Sequence, residues 1–173
     1  MLFSSIEFLY YFLPLVILGY FLLPKQLRNG WLLIVSLVFY AWGEPKLIWV
    51  MLGSIVLNWL WGIGIGRAQK TGWKRFFLVL SCLTCLGLLG WFKYADFAFE
   101  NINALLGTAI PLPKLILPIG ISFYSFQILS YTIDVYRGHA KTQYNIIDFG
   151  CYVVLFPQLI AGPIVRYVDV ERE

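Results

Sequence analysis

The sequence predicts an all-α fold, a polytopic bundle of about five to six transmembrane segments with a broken or re-entrant last segment. Hydrophobic residues make up 60% of the chain and charged residues 13%, whereas soluble domains are about half apolar and a quarter charged. Trp73 and Trp91 would stand about 27 Å apart on one helix, close to the thickness of the hydrocarbon layer. Indole rings favour the two membrane interfaces. We therefore expect a single membrane domain over residues 1–173 with no separate soluble domain.

Six apolar runs define the predicted segments, at residues 6–23, 30–42, 47–66, 76–92, about 115–136 and 146–165. Prolines and glycines end or interrupt several of them, namely Pro24, Pro45, Pro118, Gly120, Pro157, Gly162 and Pro163. A broken backbone inside a membrane is tolerated only where protein or water surrounds it, so the break in the last run should face the interior. Residues 93–114 form a polar interval whose apolar positions recur at roughly helical spacing, as in a short interfacial helix.

The loop charges predict the orientation. With the N-terminus outside, the inner loops carry eight basic residues and the outer segments five. The inner set is Lys25, Arg28, Arg67, Lys70, Lys74, Arg75, Arg137 and Lys141. The same distribution explains the net charge of +4 without nucleic acid as a partner. We expect a multi-pass protein of the cytoplasmic (inner) membrane, with no cleavable signal peptide because the N-terminus lacks a basic region and a cleavage site.

The cysteines and the histidine indicate neither a metal site nor a cofactor. Cys82 and Cys85 lie inside an apolar run without a second pair of ligands, which favours a packing role. His139 lies in a basic loop with no nucleophile or carboxylate partner close in sequence, which favours a solvated side chain over a general base. In contrast, Gly62 and Gly66 form a GxxxG pattern that allows two membrane helices to approach closely.

Polar residues inside the fifth run share one helix face, because Tyr124, Gln127, Tyr131 and Asp134 are three, four and three residues apart. They are expected to point into the bundle. One interpretation is a polar wall along a substrate path. The favoured one is hydrogen bonding between helices, with an exposed Asp134–Arg137 pair at the helix end. The same two interpretations apply to Asn58, again with the structural one ahead.

Two long strings carry a resemblance to a known family. They are LPIGISFYSFQILSYTIDVYRG at residues 117–138 and LFPQLIAGPIVR at residues 155–166. With MLFSS at 1–5 and FYAWGEP at 39–45, they resemble the membrane-bound O-acyltransferase (MBOAT) family. The similarity is to its bacterial branch, which includes the alginate O-acetyltransferases and the D-alanyl transfer protein of teichoic acid synthesis. It extends along essentially the whole chain.

The resemblance implies the N-terminal part of an enzyme that transfers an acyl group, most simply acetyl, to hydroxyls of an envelope polysaccharide or related polymer. The implied partners are the lipid bilayer, the C-terminal region, an acyl donor or carrier protein and the polymer, with no cofactor. The family's histidine base is expected beyond Glu173, so no catalytic residue is assigned here. The implied substrate-path candidates are Tyr124, Gln127, Tyr131, Asp134, Pro157, Gln158, Gly162, Pro163 and Arg166.

Two other functions remain open at this stage. A small membrane scaffold that binds partners without catalysis is favoured by the missing histidine. Half of a transporter is the second alternative, because broken helices also mark transport sites. The sequence contains neither a repeat of the broken-helix pattern nor an acidic residue in the middle of a run, and both observations count against transport.

Overall fold

The computed structural model describes residues 6–107, 111–113, 117–118, 120–161 and 167. Every regular element in those ranges is a helix, so the all-α prediction is confirmed there. A π-helical turn, Phe8–Phe12, lies near the start of the described residues. The α-helices that follow are α1 (Leu13–Leu22), α2 (Lys25–Gly43), α3 (Ile48–Arg67), α4 (Thr71–Leu106), α5 (Ile121–Arg137), α6 (Ile146–Val154) and α7 (Phe156–Ala161).

Two of the described helices, α3 and α4, are long and apolar enough to cross a membrane. Neither begins near the N-terminus, and α4 is not a buried core helix, because apolar side chains such as Leu83 (64% exposed) face outward along it. Trp73 and Trp91 are also exposed on α4, as expected of interfacial anchors. The other helices are shorter or more polar, so the predicted count of five to six membrane segments stays a prediction.

Several boundaries differ from the sequence prediction; α4, for example, begins at Thr71 rather than at residue 76. Helix α2 begins at Lys25 rather than at residue 30, because Pro24 presets the turn before a helix and the basic residues form its first turns. Helix α4 does not end at Phe92. Since neither proline nor glycine follows within the next turns, it continues through the polar interval until Gly107, whose φ of 63° ends it. The prediction of a separate interfacial helix in residues 93–114 is therefore wrong.

Helices α3, α4 and α5 pack against one another and form the centre of the molecule, and α2 packs against α6. The two glycines of the GxxxG pattern lie at close contacts, as predicted. A Cβ added at Gly62 would lie 2.9 Å from Cε1 of Tyr131, and one at Gly66 would overlap the side chain of Thr142. Close approach of α3 to α5 and to the segment after it therefore depends on these two glycines.

One end of the bundle, here called the basic end, is formed by the start of α2, the α3–α4 connection and the α5–α6 connection. Asn29 on α2 donates a hydrogen bond to Asp148 on α6 (2.9 Å). Other contacts complete this end: Nε of Arg75 donates to the hydroxyl of Tyr136 (3.4 Å), and the Arg67 guanidinium lies 5.7 Å from the centre of the Tyr144 ring. The three basic loops therefore share one side, as the charge pattern predicts. Which side of the membrane this is stays a prediction.

Candidate functional site

The polar face of α5 is buried, as its spacing predicts. Tyr124 and Tyr131 are 0% exposed, Gln127 is buried, and Asp134 is half-buried. The face therefore points into the bundle and away from lipid. Its members nevertheless have different surroundings, so a single polar wall does not describe them.

Tyr131 is held by protein on several sides. Its ring centre lies 4.9 Å from that of Phe149 and 4.8 Å from that of Tyr167. Its hydroxyl accepts a hydrogen bond from the backbone N–H of Gln143 (2.9 Å). These contacts connect α5 to the loop before α6, so the geometry favours a structural role for this side chain.

Gln127 supports a break in the last apolar segment. The break lies at Leu155, between α6 and α7. In a continuous helix, the carbonyl of Tyr152 would accept from the N–H of Phe156. At the break, Nε2 of Gln127 donates to that carbonyl (2.9 Å), and the N–H of Phe156 donates to Oγ of Ser36 on α2 (3.3 Å). Side chains from two other helices thus replace the lost backbone hydrogen bond.

The break faces the interior, as predicted. Phe149 to Val154 and Phe156 are buried, and the Phe156 ring packs 5.8 Å from Phe8 and 5.6 Å from Phe39. Pro157 is exposed in the first turn of α7, where a proline needs no N–H partner, and Gln158 is half-buried. The remaining candidates, Gly162, Pro163 and Arg166, lie outside the described residues.

A second polar cluster connects the three central helices. Oγ of Ser81 on α4 donates to Oδ1 of Asn58 on α3 (2.7 Å) and lies 3.0 Å from Oγ1 of Thr132 on α5. Nδ2 of Asn58 donates to the carbonyl of Ser54 (2.8 Å), and Thr132 donates to that of Ile128 (2.7 Å). The structural interpretation of Asn58 is therefore confirmed.

Tyr124 differs from these residues because its buried hydroxyl has no hydrogen-bond partner in the described part of the chain. The hydroxyl of Tyr40, near the end of α2, is in the same situation. Both rings belong to one core cluster, and both lie close enough to Glu44 to interact with it electrostatically. An unpaired buried hydroxyl costs about 1–3 kcal/mol, so such groups call for an explanation such as water, a ligand or a catalytic role.

Two sequence expectations about charged residues have different outcomes. Asp134 and Arg137 form no ion pair among the described residues, and Oδ2 of Asp134 is buried without a hydrogen-bond partner. The predicted exposed pair is wrong, because the left-handed turn at Gly138 folds the chain back over Asp134, whose carbonyl accepts from the N–H of His139. The His139 side chain is exposed, as its loop position predicts.

Sequence reasoning missed Tyr40, Ser36, Ser81 and Thr132. The signal was present, since each is a hydroxyl-bearing residue inside an apolar run. No group of three or more possible metal ligands occurs among the described residues. The buried hydroxyls of Tyr124 and Tyr40, which have no hydrogen-bond partner among the described residues, are the groups that can bind or orient a polar molecule.

Outward-facing apolar helices around buried polar clusters define an integral membrane protein. Among curated proteins, the chain is 42% identical over 174 residues to the probable alginate O-acetylase AlgI of Pseudomonas aeruginosa and 41% identical to that of Azotobacter vinelandii. It is 33% identical over 198 residues to the peptidoglycan O-acetyltransferase of Helicobacter pylori. Each match covers 98% of this chain and 34%, 35% and 38% of the respective relative.

These relatives confirm the resemblance seen in the motifs. The chain is similar along 98% of its length to alginate O-acetylases and to a peptidoglycan O-acetyltransferase, and it spans about a third of the length of the relatives it matches. No family model matches the chain, and no solved structure matches it.

Proposed function

We propose that this chain forms the N-terminal part of an O-acyltransferase of the cytoplasmic membrane that transfers an acyl group, most simply acetyl, to hydroxyls of a cell-envelope polysaccharide. The observation that carries the proposal is the 42% identity to a probable alginate O-acetylase over 98% of the chain. A second relative is named a peptidoglycan O-acetyltransferase, so the acceptor class is an envelope polymer rather than one particular polysaccharide.

The chemistry assigns different tasks to different parts of such an enzyme. An acceptor hydroxyl needs a base that removes its proton as it attacks the acyl carbonyl. We propose that this base is supplied by the family histidine beyond Glu173, together with the remaining helices. The residues of this chain would then shape the path, and an acyl donor or carrier protein would deliver the group.

Within this path, the two unpaired tyrosines are the candidates for substrate contact. Tyr124 and Tyr40 present buried hydroxyls that are already desolvated and have no partner in the described residues. A hydroxyl in this state can donate to a sugar oxygen or to the acyl carbonyl without first breaking a protein hydrogen bond. Gln127 and Tyr131, whose polar groups have protein partners, are proposed to position the helix break and the loop before α6.

A chimera tests the proposal. This chain would replace the matching third of the Pseudomonas aeruginosa alginate O-acetylase in a strain that lacks the native gene, and alginate O-acetyl content would be measured by NMR. We expect the chimera to restore acetylation and the 173-residue chain expressed alone to give none above the empty-vector control. A chimera that is made and inserted normally but gives no acetylation would contradict the proposal and favour a non-catalytic membrane scaffold.

Single substitutions in the chimera test the substrate contact. Tyr124→Phe should leave the protein level unchanged, because the lost hydroxyl has no partner among the described residues, and lower acetylation about 2–10-fold, the value of one hydrogen bond. Tyr144→Phe, which removes an exposed hydroxyl at the basic end, is the matched control and should have no effect. Equal activity of the two variants would remove Tyr124 from the path.

A further inference from the structure

A groove of about 460 Å³ lies at the basic end, where α4 begins. It is lined by Lys70, Gly72, Trp73 and Phe76. Trp73 and Phe76 are about half exposed, and their rings are in edge contact at 5.7 Å. Phe77, which packs against Gly64 of α3, contacts both rings and supports this wall from behind. The groove thus combines a cationic mouth with an apolar, aromatic side.

The position of the groove matches the depth of a phospholipid. Trp73 is the residue expected at the membrane interface, and Phe76 lies almost one turn further towards the apolar part of α4. Lys70 precedes Trp73 by three residues, which places it about 4.5 Å further out, at the level of lipid phosphates. A lipid in the groove would therefore meet the lysine with its headgroup and the aromatic side chains with its acyl chains.

The charges at the groove favour an anion. Neither Lys70 nor Lys74 has an ion-pair or hydrogen-bond partner for its ammonium group among the described residues, and Lys70 is exposed at the N-cap of α4. The two lysines are four residues apart, so their charges repel each other unless an anion lies between them. The N-terminal N–H groups of α4 add positive potential at the same place, and no side chain caps them.

We propose that this groove binds an anionic phospholipid of the surrounding leaflet, with its phosphate at Lys70, beside Lys74 in the next turn of α4, and an acyl chain along Trp73 and Phe76. Charge complementarity selects the anionic headgroup, and the aromatic wall selects a lipid over a free phosphate. The bound lipid neutralises the repulsion at the start of α4. This role is independent of the acyl transfer proposed above.

Lipid titrations on the purified protein in a non-ionic detergent test the proposal, with acyl-labelled phosphatidylglycerol as the probe. Phosphatidylcholine with the same chains and glycerol phosphate without chains are the comparison ligands. The Lys70→Gln/Lys74→Gln double variant should bind phosphatidylglycerol about 25-fold more weakly, at about five-fold per lysine. The Lys46→Gln/Lys93→Gln double variant removes the same charge from exposed lysines at the opposite end and should bind as the wild type does.

Trp73→Ala distinguishes binding of the acyl chain from binding of the headgroup. It should weaken phosphatidylglycerol binding and leave the weak binding of glycerol phosphate unchanged. Three results would overturn the proposal: phosphatidylcholine binding as tightly as phosphatidylglycerol, equal weakening by the two lysine pairs, or glycerol phosphate binding as tightly as the lipid. The first shows a purely apolar groove, the second a general charge effect, and the third a simple anion site.

Discussion

Replacing Asn58 by Leu should destabilise the protein by about 1 kcal/mol. The side chain loses two hydrogen bonds between helices, the 2.7 Å bond from Oγ of Ser81 and a weaker one from Sγ of Cys85 (3.5 Å), and such bonds in membrane proteins are worth about 0.6 kcal/mol on average and up to about 1.7. The bond to the carbonyl of Ser54 lies within α3, so its loss costs little. The Ser81 hydroxyl can turn towards Thr132 at 3.0 Å, which limits the penalty. Leu has the same number and branching of heavy atoms as Asn, so no large cavity forms.

Unfolding by SDS in mixed micelles would measure the free energies, with Asn58→Leu, Ser81→Ala and the double variant in one cycle. We expect a coupling energy of about 0.6–1.7 kcal/mol between the two positions. Ser54→Ala is the matched control, because its buried hydroxyl lies one turn away on the same helix and has no partner in the described part of the chain, so its removal should cost nothing. A coupling energy near zero, or equal destabilisation by Ser54→Ala and Asn58→Leu, would refute the reasoning.

Three further predictions follow from the packing, the break and the charges. Gly62→Ala should lower thermal stability, because its Cβ would lie 2.9 Å from a tyrosine ring of α5. Gly53→Ala, whose Cβ would have no described atom within 4 Å, should raise the free energy of unfolding by about 0.5–1 kcal/mol. Differential scanning calorimetry of both variants checks this. Gln127→Leu should increase proteolysis at the α6–α7 break by removing the 2.9 Å hydrogen bond there, while Gln127→Glu, which keeps an acceptor but no donor, should give no rescue. In intact cells, an impermeant thiol reagent should modify a cysteine at position 46 and spare one at position 70; the reverse labelling would invert the orientation.

The sequence predicts the helical class and the interior position of the α5 face well, because residue spacing alone determines which side chains share a face. Tyr124, Gln127 and Tyr131 are all buried as expected. It also predicts that the last segment is broken, since a proline cannot continue the hydrogen-bond ladder. It locates the break less well. The chain leaves the helix at Leu155, before Pro157, because the proline has no N–H for the carbonyl four residues earlier, that of Val153, and its ring would clash with it in a continuous helix.

The sequence could not assign the partners of these polar groups. The amide that reaches the freed backbone belongs to Gln127, which is 25 residues from its partner Tyr152 in sequence. Ser36 is 120 residues from its partner Phe156. Such pairs depend on how the helices are arranged around one another, and helical periodicity carries no information about that arrangement. For the same reason, periodicity could not separate Tyr124, whose hydroxyl has no partner among the residues described, from Tyr131 on the same face.

The support of the helix break by two distant helices has a consequence for biogenesis. A segment whose backbone hydrogen bonds are completed by Ser36 and Gln127 is a poor candidate for independent partitioning into lipid, where unsatisfied N–H and C=O groups are costly. Both supporting residues are synthesised before the break, so α2 and α5 can be in place when it emerges from the ribosome. The break is therefore expected to leave the insertion machinery only by docking onto helices that are already assembled, and substitutions at Ser36 or Gln127 should prolong its residence there.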